Sequence, residues 1–224
     1  GAAVSRPFAT PIRGAHRLSF LIRFDLNPNA GETAGVVLNE MATGSQTNWN
    51  DGQRLFLGID GDGTWKVDDN SGLQTLQEGG SDFAANGGVI YSVTLILEPA
   101  ADRYTLQIED TGSGTTSETV AGTLAGTSGT GIASIAFANG VIGGNQNLIW
   151  DDTTLESVVN VRDNITVYSS ITNAIGAASA GDVIGIGPGL RAENFNVNKS
   201  LTLRGANAGT AGTGSRAAES LIKA

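Results

Sequence analysis

Between Leu18 and Ser157 the chain breaks into nine short apolar runs: LSFLIRFDL, AGVVLNEM, RLFLGID, TWKVDD, LQTLQEG, VIYSVTLILE, RYTLQIED, IASIAFA and NLIWDDTTLES. In TWKVD and YSVTLILE the apolar positions alternate, which sets one face of an extended strand on a core and turns the other outward. Turn residues separate the runs. The clearest is Asp60-Gly61-Asp62-Gly63, a tight-hairpin signal that predicts a type I′ turn with positive φ at both central residues. Nine strands at this spacing predict an antiparallel two-sheet sandwich, so the fold class is all-β. Gly at 32 of 224 residues and charged residues at only 16% fit short strands joined by tight turns.

Charge narrows the partners. Residues 1–157 hold 7 Lys and Arg against 18 Asp and Glu, a net of −11, whereas residues 158–224 are net +2. A phosphate-binding surface needs clustered cations, so a nucleic-acid partner is excluded. The absence of Cys rules out disulfides, thiolate zinc sites and thiol nucleophiles. No window approaches the ~18 consecutive apolar residues of a transmembrane helix. The sequence opens on Gly1 rather than Met, and the expectation is an exported protein, secreted or at the cell surface, whose leader or preceding domain has been removed.

Near Val158 the pattern changes. VVNVRDNITV reads as a strand pair turning at Asp163-Asn164. Ile171, Ala174, Ile175 and Ala178 then fall at i, i+3, i+4 and i+7, one stripe of a short helix, with Ser169 or Ser170 as N-cap and Gly181-Asp182 as its end. DVIGIGPG, FNVNKSLTLRG and ESLI follow as short strands with Gly, Asn and Pro corners. The organisation expected is a sandwich over 1–157 and a second unit over 158–224. Glu156 to Asn160 leaves almost no linker, which predicts a fixed angle between them.

The phrases LSFLIRFDL, FLGIDGDGTWKV, YSVTLILEPAADRYTLQIED and LIWDDTTLES resemble the laminin-G-like, concanavalin-A-like jelly rolls of bacterial surface proteins, from about Ala2 to Ser157. That resemblance implies a jelly-roll sandwich. The string from Ile171 to Gly205 resembles the N-terminal cap and first coil of pectin-lyase-like right-handed parallel β-helices. It carries a small amphipathic helix, then Ala180-Gly181-Asp182, an apolar strand, Pro188-Gly189, and Lys199 leading Ser200-Leu201-Thr202-Leu203. One departure is Leu190, where that family's pattern has a Tyr after the Pro-Gly. Each coil of such a solenoid leaves an apolar face that only the next coil buries, so a lone coil implies a longer protein or a partner. If the partner is a neighbouring copy, the edge after ESLI would bury Leu221 and Ile222 between protomers and build a fibre.

Both resembled folds host carbohydrate-active enzymes, but fold alone confers no activity. A glycosidase needs two carboxyl groups flanking the scissile bond. Glu109-Asp110 and Asp151-Asp152 are sequence neighbours, which alternation sends to opposite faces of a strand. His16 has no nearby nucleophile to activate and reads as structural. Asp60 and Asp62 look like half of an oxygen-rich calcium loop, although the hairpin turn already accounts for them. The laminin-G-like resemblance implies a structural Ca2+ with Asp152 as a ligand from the last strand. For sugar, Trp49 lies in a loop among Gln46, Asn48, Asn50 and Asp51, amides and a carboxylate that would fix hydroxyls while the indole stacks on a pyranose; the alternative is a Trp folded over the sandwich edge. Trp65 alternates with Val67 and reads as core, and Trp150 fits either role.

These observations lead to a non-enzymatic extracellular segment acting in adhesion, surface architecture or glycan binding. Its expected partners are a polysaccharide, a cell-surface glycan or neighbouring copies of itself. The alternative is a carbohydrate-binding module joined to the start of a β-helical polysaccharide lyase or hydrolase, whose active site would lie in sequence beyond this chain.

Overall fold

The computed structural model describes residues 2–25, 32–41, 51–139, 148–210, 212, 216 and 218–223. In chain order its strands are β1 (Ala2–Ile12), β2 (His16–Phe24), β3 (Thr33–Asn39), β4 (Gln53–Asp60), β5 (Trp65–Asp69), β6 (Gly72–Thr75), β7 (Gln77–Glu78), β8 (Ser81–Asp82), β9 (Ile90–Glu98) and β10 (Arg103–Asp110). They continue as β11 (Val120–Thr123), β12 (Ile132–Asn139), β13 (Leu148–Ser157), β14 (Val159–Val161), β15 (Val167–Tyr168), then helix α1 (Ile171–Ala177), β16 (Val183–Ile186), β17 (Gly189–Ala192), β18 (Thr202–Arg204) and β19 (Ser220–Lys223).

Among the described residues the protein is all-β apart from α1 and one 3-10 turn. Two antiparallel sheets, ordered β1-β12-β3-β4-β5-β6 and β11-β10-β9-β2-β13, pack face to face around one core. Their inner faces meet through residues such as Leu18, Phe20, Leu57, Val67, Leu95, Leu106 and Phe137, all buried. β2 shows why: its residues alternate strictly between buried and half-buried along HRLSFLIRF. This is the antiparallel sandwich that the alternation predicts. Sequence reading omits β1 and β11. The first contains Pro7 and Pro11 and pairs only with β12, the edge position where a missing N–H is tolerated; the second is a four-residue edge strand.

The hairpin at Asp60–Gly63 forms with a different turn. Gly63 N–H donates to Asp60 O (2.9 Å) and only Gly63 is left-handed there, at φ +79°. This is a turn followed by a glycine bulge, which delivers the same strand twist as type I′ with a single positive φ.

Arg54 ties one end of the sandwich together. Its side chain is fully buried and pairs with Asp102 (2.6 Å) and Glu40 (3.5 Å), while Nη1 also donates to Thr130 Oγ1 (2.7 Å) and Thr127 O. Burial opposes ionisation of both carboxyls. Hydrogen bonds from Thr127 and Thr130 on Glu40, from Ser128 and Gly129 on Asp102, and the guanidinium between them outweigh it and hold both below the usual carboxylate range. A pKa lower in the folded state means stability that is present above the unfolded value and lost as pH falls through the folded one. Unfolding free energy from this pair therefore falls below about pH 4, and denaturant titrations across that range should show a shallower decline in Glu40→Gln/Asp102→Asn.

The second group of strands pairs separately, in the order β15-β14-β16-β18, with β17-β19 beside it. β16 and β18 are parallel, as are β17 and β19. α1 forms where the apolar stripe predicts, with Ile171, Ala174, Ile175 and Ala178 buried against Val159, Val161, Ile184 and Ile186. Ser170 is the N-cap, its Oγ accepting from Asn173 N–H (3.0 Å). The Glu193 carboxylate also accepts from the free N–H groups of Ile171 and Thr172, and Lys199 Nζ donates to Ala178 O (2.8 Å). These charges match the two poles of the helix. The helix ends at Ala177, short of Gly181-Asp182.

Candidate functional site

The outer face of the five-stranded sheet carries a depression. Arg17, Ser19, Leu21 and Arg23 occupy the outward positions of β2. In register across the ladders, Ile149 and Ile90 flank Arg23, Asp151 and Ser92 flank Leu21, Thr154 and Thr94 flank Ser19, and Glu156 lies beside Arg17. Leu21, Ile90, Ile149 and Trp150 line this depression of about 200 Å3 together with Arg23 and Asp151. Ile90 and Ile149 are 44% and 43% exposed. Arg23 is steadied by Asp25 (2.9 Å). Away from the depression the face turns polar, with Ser19 Oγ and Thr154 Oγ1 hydrogen-bonded (2.7 Å) and Arg17 paired to Glu156.

Asp151 and Asp152 owe their arrangement to a bulge. Asp151 lies opposite Leu21 and Thr154 opposite Ser19, so two residues of β13 face one of β2. Asp152 takes the left-handed conformation (φ +49°), which Asp tolerates better than most side chains. Its N–H donates to Asp151 Oδ1 (2.8 Å). The bulge lies on an edge strand, where it limits further strand pairing. Trp150, just before it, stacks on Phe137 at 4.4 Å and 6°, against the core.

The other residues singled out from the sequence lie elsewhere. Trp49, Asn48 and Asn50 fall outside the described residues; Asp51 is half-buried in the turn that leads into β4. Asp62 accepts from Thr64 N–H (2.9 Å) and Oγ1 (2.7 Å) with one oxygen, and from Lys66 Nζ (2.6 Å) with the other. Those bonds hold its carboxyl below the usual range, Lys66 contributing most. Asp60 accepts from Gly61 N–H. Calcium takes six to eight oxygens, whereas an ammonium group already neutralises Asp62. Among the described residues no three acidic or imidazole side chains gather in one place, around Asp152 or elsewhere.

His16 is buried and donates from Nδ1 to Gly14 O (2.9 Å). Burial pushes its pKa down and the hydrogen bond only partly offsets this. Leu221 and Ile222 lie on β19, 56% and 47% exposed, with Leu221 in parallel register beside the exposed Leu190.

The outer-face depression is absent from the sequence reading, although a signal for it exists. Leu21 and Ile149 are apolar at outward positions, out of phase with the buried Ile22 and the core-facing Trp150. In a strand with one solvated face, that breach of alternation is the signal that picks these positions out.

No family model matches this chain, and no curated protein matches it. Among solved structures it is similar to the globular domain of T. cruzi calreticulin, with 13% identity and a TM-score of 0.39 over 69% of this chain and 68% of that one. It is also similar to peanut lectin in complex with a nine-residue peptide, with 15% identity and a TM-score of 0.39 over 70% of this chain and 82% of that one.

Proposed function

We propose that this chain is a non-catalytic extracellular module, a jelly-roll sandwich on the capped first coil of a right-handed parallel β-helix, that binds a neutral glycan and serves in adhesion or surface architecture. The observation that carries the binding reading is the outer-face depression. Its aliphatic lining residues Leu21, Ile90 and Ile149 suit the C–H face of a sugar ring, while Arg23 and Asp151 in the same lining offer one donor and one acceptor to hydroxyls. The −11 charge of residues 1–157 repels polyanions, which favours an uncharged glycan. Support for the β-helix is the pairing of β16 with β18 and of β17 with β19, both parallel, as successive coils would stack.

A glycan array read with the wild type, Ile149→Asp and Trp49→Ala tests this. The expected result is selective binding of neutral glycans, at least tenfold weaker in Ile149→Asp. Loss in Trp49→Ala with Ile149→Asp unchanged would move the ligand to Asn48, Trp49, Asn50 and Asp51. Absence of binding to any glycan would sink the reading.

The exposed Leu190, Leu221 and Ile222 support a second role for β19, as the edge on which a further coil or a neighbouring copy adds its strand. Sedimentation of the wild type against Leu221→Lys should then show concentration-dependent association in the wild type alone if a second copy fills that edge.

A further inference from the structure

We infer that the sandwich is the template on which the C-terminal unit is built, so that residues 2–157 and 158–223 fold and unfold as one cooperative body. Only Val158 separates β13 from β14. It is buried, its N–H donates to Ala15 O (3.1 Å), and its carbonyl accepts from Gly187 N–H (2.8 Å). The backbone of the sandwich, the junction and the β16–β17 corner are thus bonded in series. Such contact needs residues without side chains. A Cβ on Gly187 would sit 2.9 Å from Val158 N and within contact of Ala15 O, and one on Gly14 would sit 2.6 Å from Ala206 Cβ. A Cβ on Gly185 would collide with the Glu98 carboxylate.

Charge reinforces the same surface. Glu98, at the end of β9, pairs with Arg162 (2.9 Å), their side chains 9% and 20% exposed. Arg103 on β10 pairs with Asp163, and Ser157 Oγ donates to Pro188 O. Ile96 and Thr105 show the effect on the sandwich. They occupy outward positions of their sheet, level with Arg17, yet are 2% and 3% exposed, because Asn160, Arg162 and Asp163 lie beside them. Asn160 is itself buried, with its Nδ2 donating to Val161 O and Asn164 O.

The C-terminal unit needs this support. Its own core is eight small and aliphatic residues, from Val159 to Ile186, and units of that size rarely hold together on so little apolar burial. The sandwich thus supplies the flat, hydrogen-bonded floor from which β14 and β16 take their register, and any pull on a sandwich-bound ligand passes into the parallel strands with no hinge between.

The full chain tests this directly. All three Trp residues lie within residues 1–157, so tryptophan fluorescence reports the sandwich alone, while hydrogen exchange at the Ile184 and Leu203 amides reports the C-terminal unit. The expected result is one calorimetric transition with equal calorimetric and van't Hoff enthalpies. Ile184→Ala, which touches only the C-terminal core, should then lower the fluorescence midpoint as much as it lowers protection at Leu203. Glu98→Gln and Gly187→Val should split the transition in two. Two transitions in the wild type, or an Ile184→Ala effect confined to the C-terminal amides, would overturn the inference, and Ile184→Ala decides it even if Gly187→Val fails to fold.

Discussion

Arg54→Ala is expected to lower the unfolding free energy by about 3 kcal/mol, the low end of the cost of breaking a buried ion pair, because the guanidinium is fully buried while the two carboxylates it leaves are only partly so. The guanidinium is the only cation placed against Glu40 and Asp102 among the described residues, and it is fully buried. It also holds the 127–130 loop through Thr127 O and Thr130 Oγ1. For a chain of this length the loss corresponds to a Tm drop on the order of 10 °C. Much of the penalty comes from the charges left behind rather than from a net gain made by the pair. Arg54→Met/Glu40→Gln/Asp102→Asn should therefore recover most of the stability. Thermal melts of the two variants separate these contributions: equal losses in both would show that packing of the arginine stem, and not charge, is what matters there.

Trp65→Ala should cost about as much, roughly 3–5 kcal/mol, for a different reason. Trp65 is completely buried on β5 and is the hub of an aromatic cluster spanning both sheets. Its ring meets Phe24 at 5.5 Å and Tyr91 at 5.2 Å, both edge-on, and Tyr91 in turn meets Phe83 at 6.3 Å. Tyr91 adds a polar anchor, its hydroxyl accepting from Asn86 N–H (2.7 Å). Removing the indole leaves a cavity among side chains that come from different strands and cannot collapse together. Trp65→Phe should recover more than half of the loss by urea denaturation. A loss below about 1 kcal/mol in Trp65→Ala would mean that the cluster repacks and that the core is less specifically filled than these contacts indicate.

Much of the sandwich was legible because a strand with one buried face writes its geometry into a period of two. β2, β9 and β10 are plain for that reason, and α1 is plain because its apolar stripe follows the helical period. What could not be read were features in which a distant residue overrides local preference. Asp151-Asp152 reads as two alternating acids, yet the bulge opposite Phe20 breaks the alternation and sends Asp152 left-handed. β1 is hidden by its prolines, which become acceptable only because β12 supplies a single pairing edge. Glu193 and Lys199 cap α1 from about twenty residues away, so no local signal announces them. The site was harder still. The acids at Asp60 and Asp62 carry a visible motif whose oxygens the fold spends on Gly61, Thr64 and Lys66, whereas Leu21, Ile90 and Ile149 come from three separate strands and form a depression only once the register is set.

The most direct test of glycan binding at this face is a methyl-detected NMR titration with the neutral oligosaccharide that binds best on the array. The account predicts saturable shifts at the methyl groups of Leu21, Ile90 and Ile149, with the buried core methyls of Leu57 and Val67 unmoved. Saturable shifts confined to other surfaces, with those three methyl groups silent, would contradict it.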